Sequence, residues 1–162
     1  MANVKKKTMT QEGYNALVEE LKWREGEERE RIKNDIVVAR GFGDLSENAE
    51  YDAARTAQGE NEARILQLKA DIENAEIHDA SKSVHGVVDI GCTVRVLDPD
   101  TNEETVFRIV GSNEADAMSG KISDLSPVGQ ALLGHRAGDE TNGMVEASGY
   151  TFRYRILEVT RS

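Results

Sequence analysis

Apolar residues in the first half of the chain recur at helical spacing, in two runs separated by a short turn. The first run predicts a helix that begins at a cap, Thr10 or alternatively Thr8 with Gln11 as a capping box, and ends just before Gly41. Gly41 suits the left-handed position past a helix end. Asp44, with Glu47 three residues later, has the pattern of a capping box and predicts a second helix that continues to about Ala75. A connection this short makes the two helices antiparallel neighbours.

The apolar residues of the two helices can be paired, because facing residues of an antiparallel pair have numbers with a near-constant sum. Five pairs have a sum of 85 or 86: Ile36 with Ala49, Ile32 with Ala53, Leu21 with Ile65, Leu17 with Leu68, and Tyr14 with Ile72. Between them Glu25 would face Asn61, so we expect a polar and looser segment there. A helix of about 30 residues is roughly 45 Å long. The hairpin is therefore an arm, and periodicity alone also allows a dimerisation coiled coil.

The second half of the chain has strand and turn signals in place of the long helical pattern. The predicted strands lie at 93–97, 105–110, 121–123 and 150–156, with Val145 in the partner of the last one. Ser126 followed by Pro127 is typical of a helix N-terminus. The predicted fold is an antiparallel coiled-coil hairpin over residues 1–80 and an α+β domain over residues 81–162, in which a twisted antiparallel sheet carries one short helix.

Composition excludes several classes of function. The 162 residues include 20 Lys and Arg against 30 Asp and Glu, a net charge of −10, whereas a free-standing nucleic-acid binder or nuclease carries a basic surface. Cys92 is the one cysteine, so an internal disulfide and a cysteine-based zinc site are both excluded, and we expect this thiol to be a buried apolar group. No run approaches the ~18 apolar residues of a membrane span, and no signal peptide is recognisable. We expect a soluble cytoplasmic protein.

The candidate chemistry lies in the turn between the two helices, since no standard catalytic motif is present. Asp44 and Glu47 could share a hard divalent cation, because Mg²⁺ is often held by one or two carboxylates with phosphates and water as its other ligands. Alone they would hold the ion poorly, since the partial positive charge of a helix N-terminus opposes a cation. The pair is therefore half of a site or, in the alternative interpretation, only a helix cap.

Both halves of the chain resemble one known family. Residues 43–55, with the sequence GDLSENAEYDAAR, closely resemble the tip motif of the bacterial Gre transcript cleavage factors, and the resemblance continues through Gln58 and Gly59. Residues 107–111 and 122–134 are similar to the same family. The two motifs stand in the family's order. The resemblance implies an N-terminal antiparallel coiled coil and a C-terminal FKBP-like domain.

The resemblance also implies a function that is exercised on another protein. Members of the family rescue backtracked bacterial RNA polymerase: the globular domain docks at the rim of the secondary channel, and the arm passes down it to the active site. By resemblance, Asp44 and Glu47 help to hold a second, weakly bound Mg²⁺ there and position the attacking water, while the polymerase cleaves the RNA. The chain would then not be an enzyme itself, and it would bind no cofactor alone, its Mg²⁺ being shared with RNA polymerase.

Further site residues follow from the same resemblance. Arg40 and Arg55 match family positions near the tip and would steer the phosphates of the backtracked RNA; alternatively, they are solvated helix charges with partners at i±3 or i±4. Asp124, Ser126 and Pro127 mark the loop that would contact the polymerase, although a helix cap explains the Ser-Pro pair independently.

Several alternatives stay open at this point. A non-cleaving regulator of the same architecture would occupy the channel and inhibit, and a chaperone-like protein would bind clients irrespective of the tip carboxylates. Phe42 either packs at the tip, which we expect, or stacks on a base. We expect a monomer whose partners are bacterial RNA polymerase and the backtracked 3′ end of the nascent RNA, with no sequence-specific DNA recognition and no membrane.

Overall fold

The structure is a computed structural model that describes residues 6–44 and 47–161. The chain divides into two compact units. Tyr14–Ala75 form a hairpin unit, and the described residues up to Gly13 join those from Glu76 onwards in a sheet unit. Each unit has its own set of buried side chains, so each is described separately.

The N-terminal strand of the chain belongs to the sheet unit. Strand β1 (Lys7–Met9) pairs with β2 (Ala75–Ile77) in a small two-stranded sheet, and the backbone N–H of His78 donates to Met9 O at 2.8 Å. The Met9 side chain is fully buried. The sequence pattern assigned this strand to the helical part of the chain, because a three-residue strand has no periodicity of its own.

Two helical runs form the hairpin. The helices are α1 (Gln11–Trp23), a π-helical turn (Arg24–Glu28), α2 (Arg29–Arg40) and α3 (Ala49–Glu73). The predicted cap at Thr10 and the predicted end of the first run before Gly41 are both confirmed. Gly41 itself is right-handed, with φ −67°. The turn residue with a positive φ is Gly43, at 106°. Glycine adopts such a φ without the steric cost that a side chain would add.

The second helix begins at Ala49, later than the capping-box pattern predicted. Its N-cap is Asn48, whose side-chain oxygen accepts a hydrogen bond from Tyr51 N at 3.0 Å. The prediction of Asp44 as the N-cap is therefore wrong. Asn48 also donates from Nδ2 to Ala39 O at the end of α2, at 2.6 Å. A primary amide can accept and donate at once, whereas a carboxylate only accepts, and this explains why asparagine closes the turn.

The base of the hairpin buries apolar residues at positions that the paired pattern used. Leu17, Ile65 and Leu68 are buried. The other predicted members of the base are half-buried, namely Tyr14, Leu21 and Ile72. The larger apolar residues of both helical runs are therefore buried or half-buried at this end of the hairpin.

The predicted pairing fails near the turn. Ile32 and Ile36 are buried in a cluster with Ala54, whereas their predicted partners, Ala53 and Ala49, are exposed. Buried positions of a helix recur every 3.6 residues, and counting back in such steps from the buried base of α3 leads to position 54. Ile32 with Ala54 also gives a sum of 86, so the sum rule allows either of the neighbouring positions 53 and 54, and helical periodicity selects the buried one.

The middle of the hairpin is polar, as predicted, but it is not loose. Arg24 O, at the start of the π-helical turn, accepts from Asn61 Nδ2, and Asn61 Oδ1 accepts from Arg24 Nη1, both at 3.1 Å. Asn61 is only 3% exposed. A π-helical turn interrupts the regular backbone pattern, and Asn61 bonds to the backbone there. Arg24, rather than the predicted Glu25, is the residue that meets Asn61.

Glu20 lies in the same polar segment and connects the two helical runs. Its carboxylate accepts from Arg24 Nε at 2.7 Å and from Arg64 Nε and Nη2 at 2.9 Å each. The hydrogen bond with Arg64 is the largest cause that lowers the pKa of Glu20 from 4.5 to about 2, and Arg24 adds to it. Glu20 therefore links the two helical runs of the hairpin through ion pairs.

Replacing this residue, as Glu20→Gln, is expected to give a stability difference that depends on pH. Because the folded-state pKa is lowered, the carboxylate stabilises the fold above its unfolded-state pKa, and the stabilisation is lost as the pH falls from about 4.5 towards 2. Urea unfolding should show the native chain to be more stable than the variant at roughly pH 7, with a smaller difference at roughly pH 3. A difference that stays constant between these pH values would contradict the expectation.

The sheet unit is built on five strands in the order β5-β4-β3-β7-β6. They are β3 (Cys92–Asp98), β4 (Glu103–Val110), β5 (Lys121–Ser123), β6 (Glu140–Val145) and β7 (Tyr150–Arg161). All the predicted strands are present. Neighbouring strands are antiparallel except β4 and β5, which pair in parallel. The parallel pair differs from the predicted sheet, and it is possible because a connection longer than a hairpin turn separates the two strands.

The core of the sheet unit forms on one face of the sheet. Helix α4 (Pro127–Leu132) contributes Leu132, which is fully buried, and Cys92 is 2% exposed in the same cluster. The prediction that Cys92 is a buried apolar group is confirmed. The remaining buried members are Val88, Ile90, Val94, Val96, Ile109 and Ile156.

Candidate functional site

The turn between α2 and α3 carries the two carboxylates that the sequence singled out. Asp44 and Glu47 are both exposed, and Leu45 and Ser46 between them lie outside the described residues. The cap of α3 is Asn48, so Asp44 and Glu47 do not form the predicted capping box of that helix. Both carboxylates therefore lie between α2 and α3, and the N-cap role belongs to another residue.

One backbone carbonyl holds both sides of this turn. Ala39 O accepts from Phe42 N at 3.1 Å and from Asn48 Nδ2 at 2.6 Å, which a carbonyl can do because it has two lone pairs. Ala39 is 2% exposed, so these bonds are sheltered from water. Sequence analysis did not assign a role to Asn48. Its position three residues before Tyr51 at the start of an apolar stripe was the available signal.

Replacing Asn48 by alanine is expected to destabilise the turn. The N–H of Tyr51 loses its acceptor and Ala39 O loses a donor, and loss of an N-cap alone costs about 1 kcal/mol in the free energy of unfolding. Asn48→Asp is the matched variant, because it keeps the acceptor for Tyr51 N but cannot donate to Ala39 O. Urea unfolding should rank the native chain first, Asn48→Asp second and Asn48→Ala third. Equal stability of all three chains would contradict this account of the turn.

The two predicted RNA-contacting arginines flank the turn. The Arg40 guanidinium lies 6.0 Å from the centroid of the Tyr51 ring, within the range of a cation–π contact. Arg55 Nη1 donates to Gln58 Oε1 at 3.0 Å, so its i+3 partner is neutral. Their contact with RNA stays a prediction.

Phe42 does not pack as predicted. The residue is 66% exposed. Val37 and Val38 of the last turn of α2 are each 60% exposed as well. An exposed aromatic ring at the tip leaves the alternative, stacking on a base, as the role to be tested.

The turn fits a magnesium ion only in part. Asp44 and Glu47 supply carboxylate oxygens, the donor type that Mg²⁺ prefers. Among residues 6–44 and 47–161, no group of three or more His, Cys, Asp or Glu side chains is placed to hold a metal. A Mg²⁺ ion held by Asp44 and Glu47 would therefore need further ligands from outside the described residues.

The predicted docking residues share one loop of the sheet unit, between β5 and α4. Ser126 is the N-cap of α4: its Oγ accepts from Gly129 N at 3.1 Å and donates to Ser123 O at 2.6 Å. Pro127 occupies the first helical turn, so the helix-cap explanation of the Ser-Pro pair is confirmed. Burial raises the pKa of the Asp124 carboxyl above its usual value.

The chain matches family models over almost its whole length. Residues 7–77 match the model of a transcription elongation factor N-terminal domain, and residues 83–161 match the model of the GreA/GreB transcription elongation factor C-terminal domain. The chain belongs to the GreA/GreB family of transcription elongation factors. The family match includes the acidic turn in its first part and the loop between β5 and α4 in its second part.

Individual GreA/GreB relatives are similar over nearly their full length. Transcription elongation factor GreA of Beijerinckia indica is 49% identical over 151 residues, which cover 93% of this chain and 95% of the relative. Transcription elongation factor GreA of Allorhizobium ampelinum is 46% identical over 156 residues, covering 96% and 98%. The solved GreA factor homolog 1 (Gfh1) of Thermus thermophilus is 27% identical, with 96% and 99% covered and a TM-score of 0.41, a value that supports no argument about this chain.

Within the described residues of this GreA/GreB chain, no helix combines the length and the apolar character that crossing a membrane requires.

Proposed function

We propose that this chain is a transcript cleavage factor that acts as a monomer on backtracked RNA polymerase. Its hairpin enters the secondary channel, and its tip stimulates the polymerase's own Mg²⁺-dependent cleavage of the nascent RNA near the 3′ end. The observation that carries the proposal is the exposed pair Asp44 and Glu47, on a turn whose helix cap is made by Asn48. Relatives that are 46% and 49% identical bear the name transcription elongation factor.

The chemistry requires a partner that completes the site. When bound, a Mg²⁺ ion supplies charge stabilisation and an activated water for phosphodiester hydrolysis. Asp44 and Glu47 would provide two of its oxygen ligands, with the rest coming from the polymerase and from RNA phosphates. Two carboxylates on one turn bind such an ion weakly by themselves, so the chain is an activator of the polymerase rather than an enzyme.

Neighbouring side chains of the tip suit the backtracked RNA. Arg40 and Arg55 carry positive charges on either side of the acidic turn, and guanidinium groups pair well with phosphate oxygens. The exposed ring of Phe42 can stack on an unpaired base, since stacking on an aromatic side chain does not depend on base sequence. In this division of roles the carboxylates act on the metal.

The loop between β5 and α4 is the proposed contact with the polymerase. Asp124, Ser126 and Pro127 lie next to Leu125, which is 56% exposed. An exposed apolar side chain on a loop that a helix cap holds in one conformation is suited to protein recognition, because little entropy is lost on binding. The loop thus supplies affinity, and the tip supplies chemistry.

The deciding experiment uses a stalled, backtracked elongation complex with end-labelled RNA and Mg²⁺. Addition of the purified chain is expected to shorten the RNA rapidly, whereas the complex alone shortens it slowly and the chain alone leaves free RNA intact. Occupancy of the polymerase without shortening would instead support the non-cleaving regulator. Failure to bind the polymerase at all would contradict both functions.

A further inference from the structure

Two arginines of the sheet unit flank the start of strand β3 from opposite sides. The Cα partner of Cys92, the first residue of β3, is Arg161 on β7, and the partner of the next residue, Thr93, is Arg108 on β4. Both arginines line one cavity of about 150 Å³, which we call the arginine pocket. Other residues of the sheet unit line it as well, among them Thr10, Glu12, His78 and Gly91.

The guanidinium of Arg108 is only partly satisfied by the protein. Its Nε is buried and has no hydrogen-bond acceptor among the residues that the structure describes. Its Nη2 lies 3.4 Å from Glu12 Oε2, and the Glu12 side chain is 78% exposed. Buried donors are normally bonded, and an exposed ion pair contributes little. Arg108 can therefore donate to an acceptor that comes from outside the chain.

The guanidinium of Arg161 is held by two bonds, neither of which involves a carboxylate. Its Nη1 donates to Ile90 O at 3.2 Å, and its Nη2 donates to Cys92 Sγ at 3.3 Å. A guanidinium has five N–H donors, so these two bonds leave others for a ligand. Because the side chain is already oriented, less entropy is lost when a ligand binds to it.

The chemistry of the arginine pocket favours a phosphate group. A volume of about 150 Å³ is that of about five water molecules in the liquid, which is enough for a phosphate ion. Two guanidiniums can donate to different oxygens of one tetrahedral phosphate, whereas a carboxylate is matched by a single guanidinium fork. The chain has a net charge of −10, which disfavours unspecific binding of anions elsewhere on its surface.

We propose that the arginine pocket binds a phosphate group, either as the free ion or as one end of a small phosphate ester. A neighbouring cavity of about 420 Å³ shares Ala80 and Arg161 with the pocket, and its lining includes Val84, Val87 and Val159. Cavities of this size hold small organic ligands. The organic part of an ester would lie there, next to the apolar side chains. Binding at this site does not depend on transcript cleavage.

Titration of the full ¹⁵N-labelled chain with inorganic phosphate tests the site directly. NMR spectra at constant ionic strength, with chloride replaced by phosphate, follow the Arg108 Nε–H and the amides of Ile90 and Gly91, which line the pocket. We expect these signals to shift together and to saturate. Acetate should bind about tenfold more weakly or worse, because it offers fewer acceptors to the two guanidiniums. Absence of saturable shifts, or equal affinity for acetate, would overturn the proposal.

Arginine variants show whether both guanidiniums bind the ion. Arg108→Gln and Arg161→Gln should each weaken phosphate binding by about ten- to a hundredfold, as expected for the loss of a hydrogen bond between charged groups. Arg153→Gln is the matched control on β7, because the exposed Arg153 pairs with Asp100, and this variant should bind as the native chain does. Native affinity in either of the first two variants would contradict the site.

Two further variants keep the test decisive if an arginine variant does not fold. Arg108→Lys keeps the charge without the planar fork, so its affinity should be intermediate, and native affinity would contradict a bidentate contact. Glu12→Gln should bind phosphate about two- to fivefold more tightly, because the carboxylate competes for Arg108 Nη2 on the scale of an exposed ion pair. Unchanged or weaker binding in Glu12→Gln would contradict the contact between phosphate and Arg108.

Adenosine 5′-monophosphate and adenosine distinguish the two forms of the ligand. If the monophosphate binds more tightly than inorganic phosphate and also shifts the amides of Val84 and Val159, the ligand is a phosphate ester that extends into the larger cavity. If it binds equally or more weakly and leaves these amides unshifted, the ligand is the free ion. Adenosine itself should not shift the Arg108 Nε–H. A saturable shift with adenosine would show that binding does not require a phosphate, and the proposal would be wrong.

Discussion

Asp44→Asn and Glu47→Gln are each expected to reduce transcript cleavage to the rate of the polymerase without factor, with little change in polymerase affinity. Each substitution keeps the size of the side chain and removes the charge of one proposed metal ligand. A ligand that stabilises the transition state by several kcal/mol accounts for a loss of roughly a hundredfold or more in rate. The measurement is the shortening of end-labelled RNA in backtracked complexes, with binding followed separately.

The choice of Asn and Gln distinguishes metal binding from helix capping. Asparagine is as good an N-cap as aspartate, so a loss of cleavage in Asp44→Asn cannot come from a lost cap. Asp52→Asn is the matched control, because it removes the same charge from the first turn of α3, where Asp52 is exposed. That variant should cleave as the native chain does. Native rates in both tip variants would show that the carboxylates have no chemical role.

Gly129→Ala is expected to weaken polymerase binding strongly and to destabilise the sheet unit. A Cβ at this position would lie 2.1 Å from the carbonyl oxygen of Ser123 and 2.9 Å from Ser126 Oγ. The obstacle is backbone, so the loop that contains Asp124 and Pro127 must move. Overpacking of this kind costs about 1–3 kcal/mol in the free energy of unfolding. Urea unfolding and equilibrium binding to the polymerase measure the two effects.

Gly59→Ala is the control for the glycine substitution. Gly59 lies within α3 and has no atom within 4 Å of an added Cβ. Alanine in a helix interior is favoured over glycine by roughly 0.5–1 kcal/mol, so this variant should be more stable than the native chain and bind the polymerase as well. If Gly129→Ala matched the native chain in both stability and binding, the loop would be neither tightly packed nor the docking surface.

Elements with a strong local pattern were predictable from the sequence. The hairpin helices follow from apolar residues at helical spacing, the hairpin of β3 and β4 follows from two β-rich runs on either side of a turn, and the start of α4 follows from Ser126 and Pro127. In each case the residues that specify the element lie within a few positions of one another, so the sequence pattern contains the determining contacts. The acidic turn was identified for the same reason.

Other features depend on choices between competing local signals. Asp44 and Asn48 are both good N-cap residues, and only the position of Ala39 O, which Asn48 alone can also bind, decides between them. The exposure of Phe42 likewise depends on which side chains pack near it in the folded chain, and the sequence pattern does not specify these neighbours. Competition of this kind is resolved by the tertiary structure because the partner lies in another helix.

By itself, then, the sequence determined the helical hairpin, the strands and the place of the two tip carboxylates, because short-range periodicity and turn residues specify them. Only the tertiary structure decided the cap at Asn48, the parallel pairing of β5 with β4, and the bond from Glu114 to Thr10 across 104 positions of the chain. Contacts between distant segments form according to how the elements pack, and no periodic pattern in either segment encodes its partner.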